Sequence, residues 1–208
     1  MTVTRLNAKH RRIAARLLLA TAVCLFALHL LFLLTKNAAH ASEQRYLMQS
    51  LQQVLPPDFQ WDNDLLASRQ TLPDHTGEIH NTVYIACQNG QVRYQLLQID
   101  SEKGYNGRIT LLLAIDVQQQ RISRLRPLFH RETPGLGDAI EPENSDWLQQ
   151  FALPLATPAR AMELRQDGGQ IDAIAGATIT SRAVANAIQA QLFSRKLSFR
   201  TDCQPKHL

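Results

Sequence analysis

The 208 residues hold 22 Lys and Arg against 18 Asp and Glu, a formal net charge of +4, a balance that on its face suggests a polyanionic partner. Six of those bases, Arg5, Lys9, Arg11, Arg12, Arg16 and Lys36, fall in residues 1–36, where no acid occurs, so the rest of the chain carries 16 bases against 18 acids. A slightly acidic remainder excludes a nucleic-acid footprint, and the length allows one modest domain plus an appendage.

The appendage comes first. Leu17 to Leu34 is almost continuously apolar and, extended by Ile13 to Arg16 and by Thr35, is long enough to cross about 30 Å of hydrocarbon as a helix. Basic residues crowd its N-terminal side, which predicts a cytoplasmic N-terminus and export of everything after Lys36, to the periplasm of a Gram-negative bacterium. Residues 1–36 therefore read as a cytoplasmic tail and a single inner-membrane anchor, and 37–208 as one exported domain. Ala39-His40-Ala41 resembles a signal-peptidase site, but the apolar run exceeds the ~7–15 residues usual for a signal peptide, which favours a retained anchor. His29, polar within the span, is expected to face a neighbouring helix.

Beyond the span, Leu47, Leu51, Val54 and Leu55 share one face of a helix over 42–55 that Pro56-Pro57 ends, predicting a lid on the domain core. Strand-like runs follow at 80–87 and 91–99 around an Asn89-Gly90 hairpin turn, then at 108–116 and 121–129. Together they predict an antiparallel sheet with one side to cover. Helical patterns return at 145–151, with Trp147 as a core residue, and at 181–193, where Val184, Ile188 and Leu192 recur at helical spacing. Gly168-Gly169 after Asp167 reads as a turn. Strands grouped centrally with helices at both ends predict an α+β domain.

Cys24 lies in the span as apolar filler. Cys87 and Cys203 fall in the exported part, where an oxidising compartment permits a disulfide; their positions alone do not establish one. With no Cys-x-x-Cys pair and no tight His or Cys cluster, no metal site is expected.

Two loops carry chemistry. His130 to Asp138 contains Pro134-Gly135, suited to a type II turn, and Gly137, which lets backbone lie close to a flat ligand. Asp172 to Val184 sets Gly176, Ala177 and the hydroxyls of Thr178, Thr180 and Ser181 at a helix start, where unpaired N–H groups and the dipole favour an anion. Local physics alone fits an ordinary helix cap equally well.

The run Gly176-Ala-Thr-Ile-Thr180 resembles the flavinylation motif of the FMN-binding domain family, Ser or Thr followed by Gly-Ala-Thr-x-Thr. In that family the last Thr holds FMN covalently, which implies a phosphoester on Thr180 with Gly176, Ala177, Thr178 and Ser181 around it. Ala175 stands where the family has a hydroxyl residue. Glu132-Thr-Pro-Gly-Leu-Gly-Asp138 is similar to a segment of one branch, the G subunits of Rnf (Rsx) ion-translocating electron transport complexes, and brings Glu132, Thr133, Gly135 and Leu136 into the expected cofactor site. Gly104-Tyr-Asn-Gly107, Ser145-Asp-Trp147, the short tail and the single anchor resemble the same branch.

That resemblance implies an electron carrier with covalent FMN, not expected to turn over alone. Its partners would be the other membrane components of a complex that couples electron transfer between ferredoxin and NAD to ion movement, or helps reduce a redox-sensing regulator. A separate flavin transferase using FAD and Mg²⁺ would attach the cofactor. His130, Arg131 and Glu132 would lie near the flavin ring with no catalytic proton assigned to any, and Asp172 would cap the turn or meet the modifying enzyme. The alternatives are the C subunit of the Na⁺-translocating NADH:quinone reductase, a lone exported flavin reductase, and a membrane-tethered assembly module that uses the turn only as a cap.

Overall fold

The computed structural model describes residues 8–72, 81–193 and 203; Arg5 of the basic tail and His80 at the expected start of a strand lie outside them. Helix α1 runs unbroken through Ala8–Val54, where the sequence predicts two helices. Asn37 to Ala41 explains the join, since it contains three Ala and neither Gly nor Pro and so offers helix propensity without a stop signal. The chain divides into two compact units, Met1–Tyr46 and Leu47–Leu208.

The described residues of the first unit, from Ala8 on, are helix alone. Its apolar side chains point outward, Leu18 being 71% exposed, and His10–Val54 contains the one described stretch long and apolar enough to cross a membrane. Thr21 and Thr35 donate their hydroxyls to the carbonyls of Leu18 and Leu31 at 2.9 Å, satisfying them within the helix as hydrocarbon requires.

The second unit is built on a five-stranded antiparallel meander: β1 (Gln70–Leu72), β2 (Asn81–Gln88), β3 (Gln91–Gly104), β4 (Gly107–Asp116) and β5 (Arg121–Phe129), adjacent in that order. Asn89 and Gly90 both take positive φ, 54° and 71°, the mirror-turn geometry that matches strand twist in a two-residue hairpin. Pro127 is tolerated in β5 because this strand is an edge.

β4 is buried throughout Ile109 to Asp116, and that corrects the expectation of a sheet with one side to cover. Leu111, Leu113 and Ile115 pack with Val184, Ile188 and Leu192 of α2 (Thr178–Phe193) and with Phe151 and Met162. Leu112 and Ala114 pack on the opposite face against Leu51, Val54, Leu55 and Leu65. A run of Leu-Leu-Leu-Ala-Ile without polar alternation belongs in a central strand covered twice.

The chain between β5 and α2 forms short 3-10 helices, Gly137–Ile140, Trp147–Phe151, Ala159–Met162 and Arg165–Asp167. The second replaces the α-helical turn expected at 145–151; Ser145 Oγ accepts the Trp147 N–H at 3.1 Å, a local bond that opens a tight turn. Trp147 is in the core as expected, its indole N–H donating to the Asp172 carbonyl at 2.5 Å. Cys87 and Cys203 are joined in a disulfide across 116 positions of sequence, beside Ile85 and Val92.

Candidate functional site

The site is made where the start of α2 meets the loop after β5. Gly176 takes φ +77°, which an L side chain rarely adopts, and Ala177 N–H donates to the Ile174 carbonyl at 3.0 Å. Ser181 locks this turn from inside. Its hydroxyl donates to the Ala177 carbonyl at 3.0 Å and accepts the Ile174 N–H at 2.9 Å. Of the three hydroxyl residues in the motif, Ser181 is thus occupied internally.

The turn delivers Thr178 to Thr180 as the first turn of α2, where helix geometry leaves backbone N–H groups without intrahelical acceptors. No acidic residue stands in that turn. Asp172 points elsewhere, its carboxylate pairing with Arg165 at 2.5 Å and its N–H bonding Gln150 Oε1 at 2.8 Å. Ala175 is exposed.

The opposing wall is the 132–138 loop. Leu136 N–H donates to the Thr133 carbonyl at 3.1 Å with Pro134 and Gly135 between them, Gly135 at φ +76°, which is the type II turn expected from Pro-Gly. The turn folds Glu132 inward until it is only 4% exposed. One carboxylate oxygen, Oε2, accepts the hydroxyl hydrogen of Thr180, and the other accepts the Asn106 N–H at 3.1 Å. Thr180 is itself 1% exposed.

A third element completes the wall. Tyr105 and Asn106 form the two-residue turn between β3 and β4, with Gly104 and Gly107 paired across it, and Asn106 Nδ2 donates to Thr133 Oγ1 at 3.3 Å. Between these elements lies a cavity of about 400 Å³, lined on one side by Tyr105, Glu132, Thr133, Leu136 and Gly137 and on the other by Gly176 to Thr180. That volume falls in the range of about 300–1,000 Å³ typical of small-ligand sites.

Seven expected site residues line the cavity: Glu132, Thr133, Leu136, Gly176, Ala177, Thr178 and Thr180. Gly135 shapes the turn and Ser181 braces α2 without lining it. Glu132 lies against the Thr180 hydroxyl. His130 and Arg131 turn away: His130 Nδ1 accepts the Glu132 N–H at 3.2 Å, leaving the proton on Nε2, which faces Glu141 Oε1 at 2.9 Å. Arg131 lies over the Phe129 ring at 5.6 Å.

Gly137 lines the cavity, in keeping with its expected closeness to a ligand, whereas Tyr105 and Ile179 join the site without having been expected there. Tyr105, Leu136 and Ile179 are large apolar residues 64%, 45% and 51% exposed, so the cavity has an apolar rim open to solvent. Gly137 is close packing: a Cβ there would stand 2.8 Å from Glu132 Cβ and 3.0 Å from Thr180 Oγ1. Gly137→Ala is expected to cost about 1–3 kcal/mol by overpacking, read as a lower denaturant midpoint for the full chain in detergent. Among the described residues no group of three or more His, Cys, Asp or Glu is placed to hold a metal ion.

Residues 104–192, which contain the β3–β4 turn, the loop and α2 up to Leu192, match the FMN-binding domain. The chain is 41% identical over 158 residues to the G subunit of the ion-translocating oxidoreductase complex of Stutzerimonas stutzeri, covering 74% of this chain and 67% of that protein. It is 33% identical over 180 residues to the protein of the same name from Shewanella oneidensis, covering 79% and 82% of the two chains. The corresponding protein of Buchnera aphidicola is 31% identical over 184 residues, covering 84% and 85%.

Proposed function

This chain belongs to the family of G subunits of ion-translocating oxidoreductase complexes, and from that premise we propose that it is the membrane-anchored electron carrier of such a complex, with FMN joined to Thr180 Oγ1 as a phosphoester. The observation that carries the attachment site is the position of that hydroxyl, which lines the cavity in the first turn of α2.

The residues fit the group. The free N–H groups of Thr178, Ile179 and Thr180 suit a phosphate, the Thr178 hydroxyl adds a donor, and Gly137 leaves the backbone close to the attachment oxygen. Leu136, Ile179 and Tyr105 offer apolar surface to a flat ring while leaving it reachable from outside. Bound FMN supplies electron transfer; the chain tethers it, orients it and sets its exposure. A covalent tether suits an exported domain, from which a dissociated FMN would be lost.

Export is supported by the basic residues ahead of the span and by the Cys87–Cys203 disulfide, a bond of oxidising compartments. In this reading residues 1–36 are the cytoplasmic tail and single inner-membrane pass, 37–208 the periplasmic domain. The partners are the remaining membrane components of the complex and a flavin transferase that uses FAD and Mg²⁺. The test is the intact mass of the natively produced protein with peptide mapping. The expected result is an added FMN less one water on the peptide bearing Thr180, together with a retained anchor; an unmodified mass from a host that has the transferase would overturn the assignment.

A further inference from the structure

The contact between Thr180 and Glu132 does more than hold a loop. A threonine hydroxyl is a weak nucleophile unless a base within hydrogen-bond reach takes its proton. Here that base is already present in the acceptor protein: Thr180 O–H donates to Glu132 Oε2, both residues are almost wholly buried, and both line the cavity. Among the described residues no Lys or Arg forms an ion pair with Glu132, so its oxygens face the Asn106 N–H and the Thr180 O–H. The pairing joins two positions 48 residues apart. It is protected by Gly104 and Gly137, where a Cβ would come within 2.8 Å of Glu132 Oε1 and 3.0 Å of Glu132 Oε2 respectively.

Resting on the Thr180 phosphoester reading, we infer that Glu132 is the general base of this chain's own flavinylation. Thr180 Oγ1 attacks the FMN-side phosphorus of FAD as Glu132 Oε2 accepts its proton. The new P–O bond forms on Thr180, the pyrophosphate P–O bond breaks, and AMP leaves with that electron pair; nothing is oxidised or reduced. The substrate protein thereby supplies the proton acceptor, and the transferase supplies FAD, Mg²⁺ and alignment.

The experiment uses full-length protein purified in detergent from a host lacking the transferase, then treated with transferase, FAD and Mg²⁺, with incorporation followed by flavin fluorescence in denaturing gels. Glu132→Gln keeps the shape and an acceptor for Asn106 N–H but loses the basicity, and is expected to slow modification by about 100-fold or more. Glu132→Ala is expected to be equally slow and to be accelerated by added formate but not by formamide, a response that a purely positional role does not produce. Folding of each variant is read from its intact Cys87–Cys203 bond and its thermal midpoint. Modification of Glu132→Gln at the wild-type rate, or slow variants that formate leaves unchanged, would overturn the general-base role while leaving Thr180 as the attachment point. Wild-type protein that takes no label on Thr180 overturns both readings.

Discussion

A Thr180→Val chain produced beside an active flavin transferase is expected to carry no covalent flavin: no fluorescent band after denaturing electrophoresis and an intact mass equal to the bare polypeptide. Valine replaces the hydroxyl with a methyl of similar size at a site only 1% exposed, so the helix start keeps its shape. What disappears is the one oxygen the linkage needs. The substitution also removes the donor to Glu132 Oε2, and an under-satisfied buried carboxylate costs roughly 1–3 kcal/mol. The same preparation should therefore unfold at lower denaturant while remaining folded in buffer.

Thr178→Val is the matched control. Thr178 lies on the same first turn and lines the same cavity, but its hydroxyl is not the attachment oxygen, so a covalent band should remain. Thr180→Ser should also keep the band, because it retains the oxygen. If Thr180→Val stays fluorescent and the label maps to Thr178, the attachment has been assigned to the wrong hydroxyl.

Loss of the Cys87–Cys203 bond is the second large effect. The bridge closes 116 positions of sequence, and the chain-entropy account gives about 4–5 kcal/mol for a loop of that length as an upper bound. The native contacts of the two cysteines differ. Cys87 is fully buried in β2 against Ile85 and Val92, while Cys203 packs partly against that cluster. Cys203→Ser is therefore the cleaner probe, since it breaks the bridge without opening a hole in the sheet. Its urea midpoint should fall well below that of the oxidised wild type and should not move on adding dithiothreitol, whereas the wild-type midpoint should drop toward it. Equal midpoints for all three samples would show that the bridge contributes nothing.

Much of the sheet is legible in the sequence. Asn89-Gly90 marks its hairpin because few residues tolerate two consecutive positive φ angles, and strands at 108–116 and 121–129 announce themselves by β-rich apolar runs between turns. β1 was not legible, since Gln70–Leu72 is three residues with no pattern and pairs only because β2 offers an edge. The helix that supplies the second covering layer is legible from Leu47, Leu51, Val54 and Leu55, but the strand face it covers is not, since that depends on where the end of α1 meets Leu112 and Ala114. The continuity of α1 turned on a missing stop signal between two good helical segments.

The site divides in the same way. Pro134-Gly135 and Gly176 declare tight turns by local backbone chemistry, and the opening of α2 is written in its periodicity and its run of hydroxyls. Which hydroxyl is free to react is not written there: Ser181 looks as available as Thr180 until its bonds to Ala177 and Ile174 are seen. His130, Arg131 and Glu132 are three neighbouring polar residues of similar promise, and only the fold turns one of them toward the cavity.

By itself the sequence determined what depends on near neighbours or on composition: the membrane-spanning run, the turns, the α+β pattern, and a helix N-terminus able to take an anion, with the motif likeness pointing to Thr180. Tertiary structure decided what depends on distant segments meeting. It set Glu132 against Thr180 across 48 positions, brought the Tyr105 turn to the cavity rim and joined Cys87 to Cys203. The physical reason is that a turn or a helix start is stabilised by bonds within a few residues, whereas a buried hydroxyl–carboxylate pair exists only after the sheet and α2 have packed and excluded water from both groups.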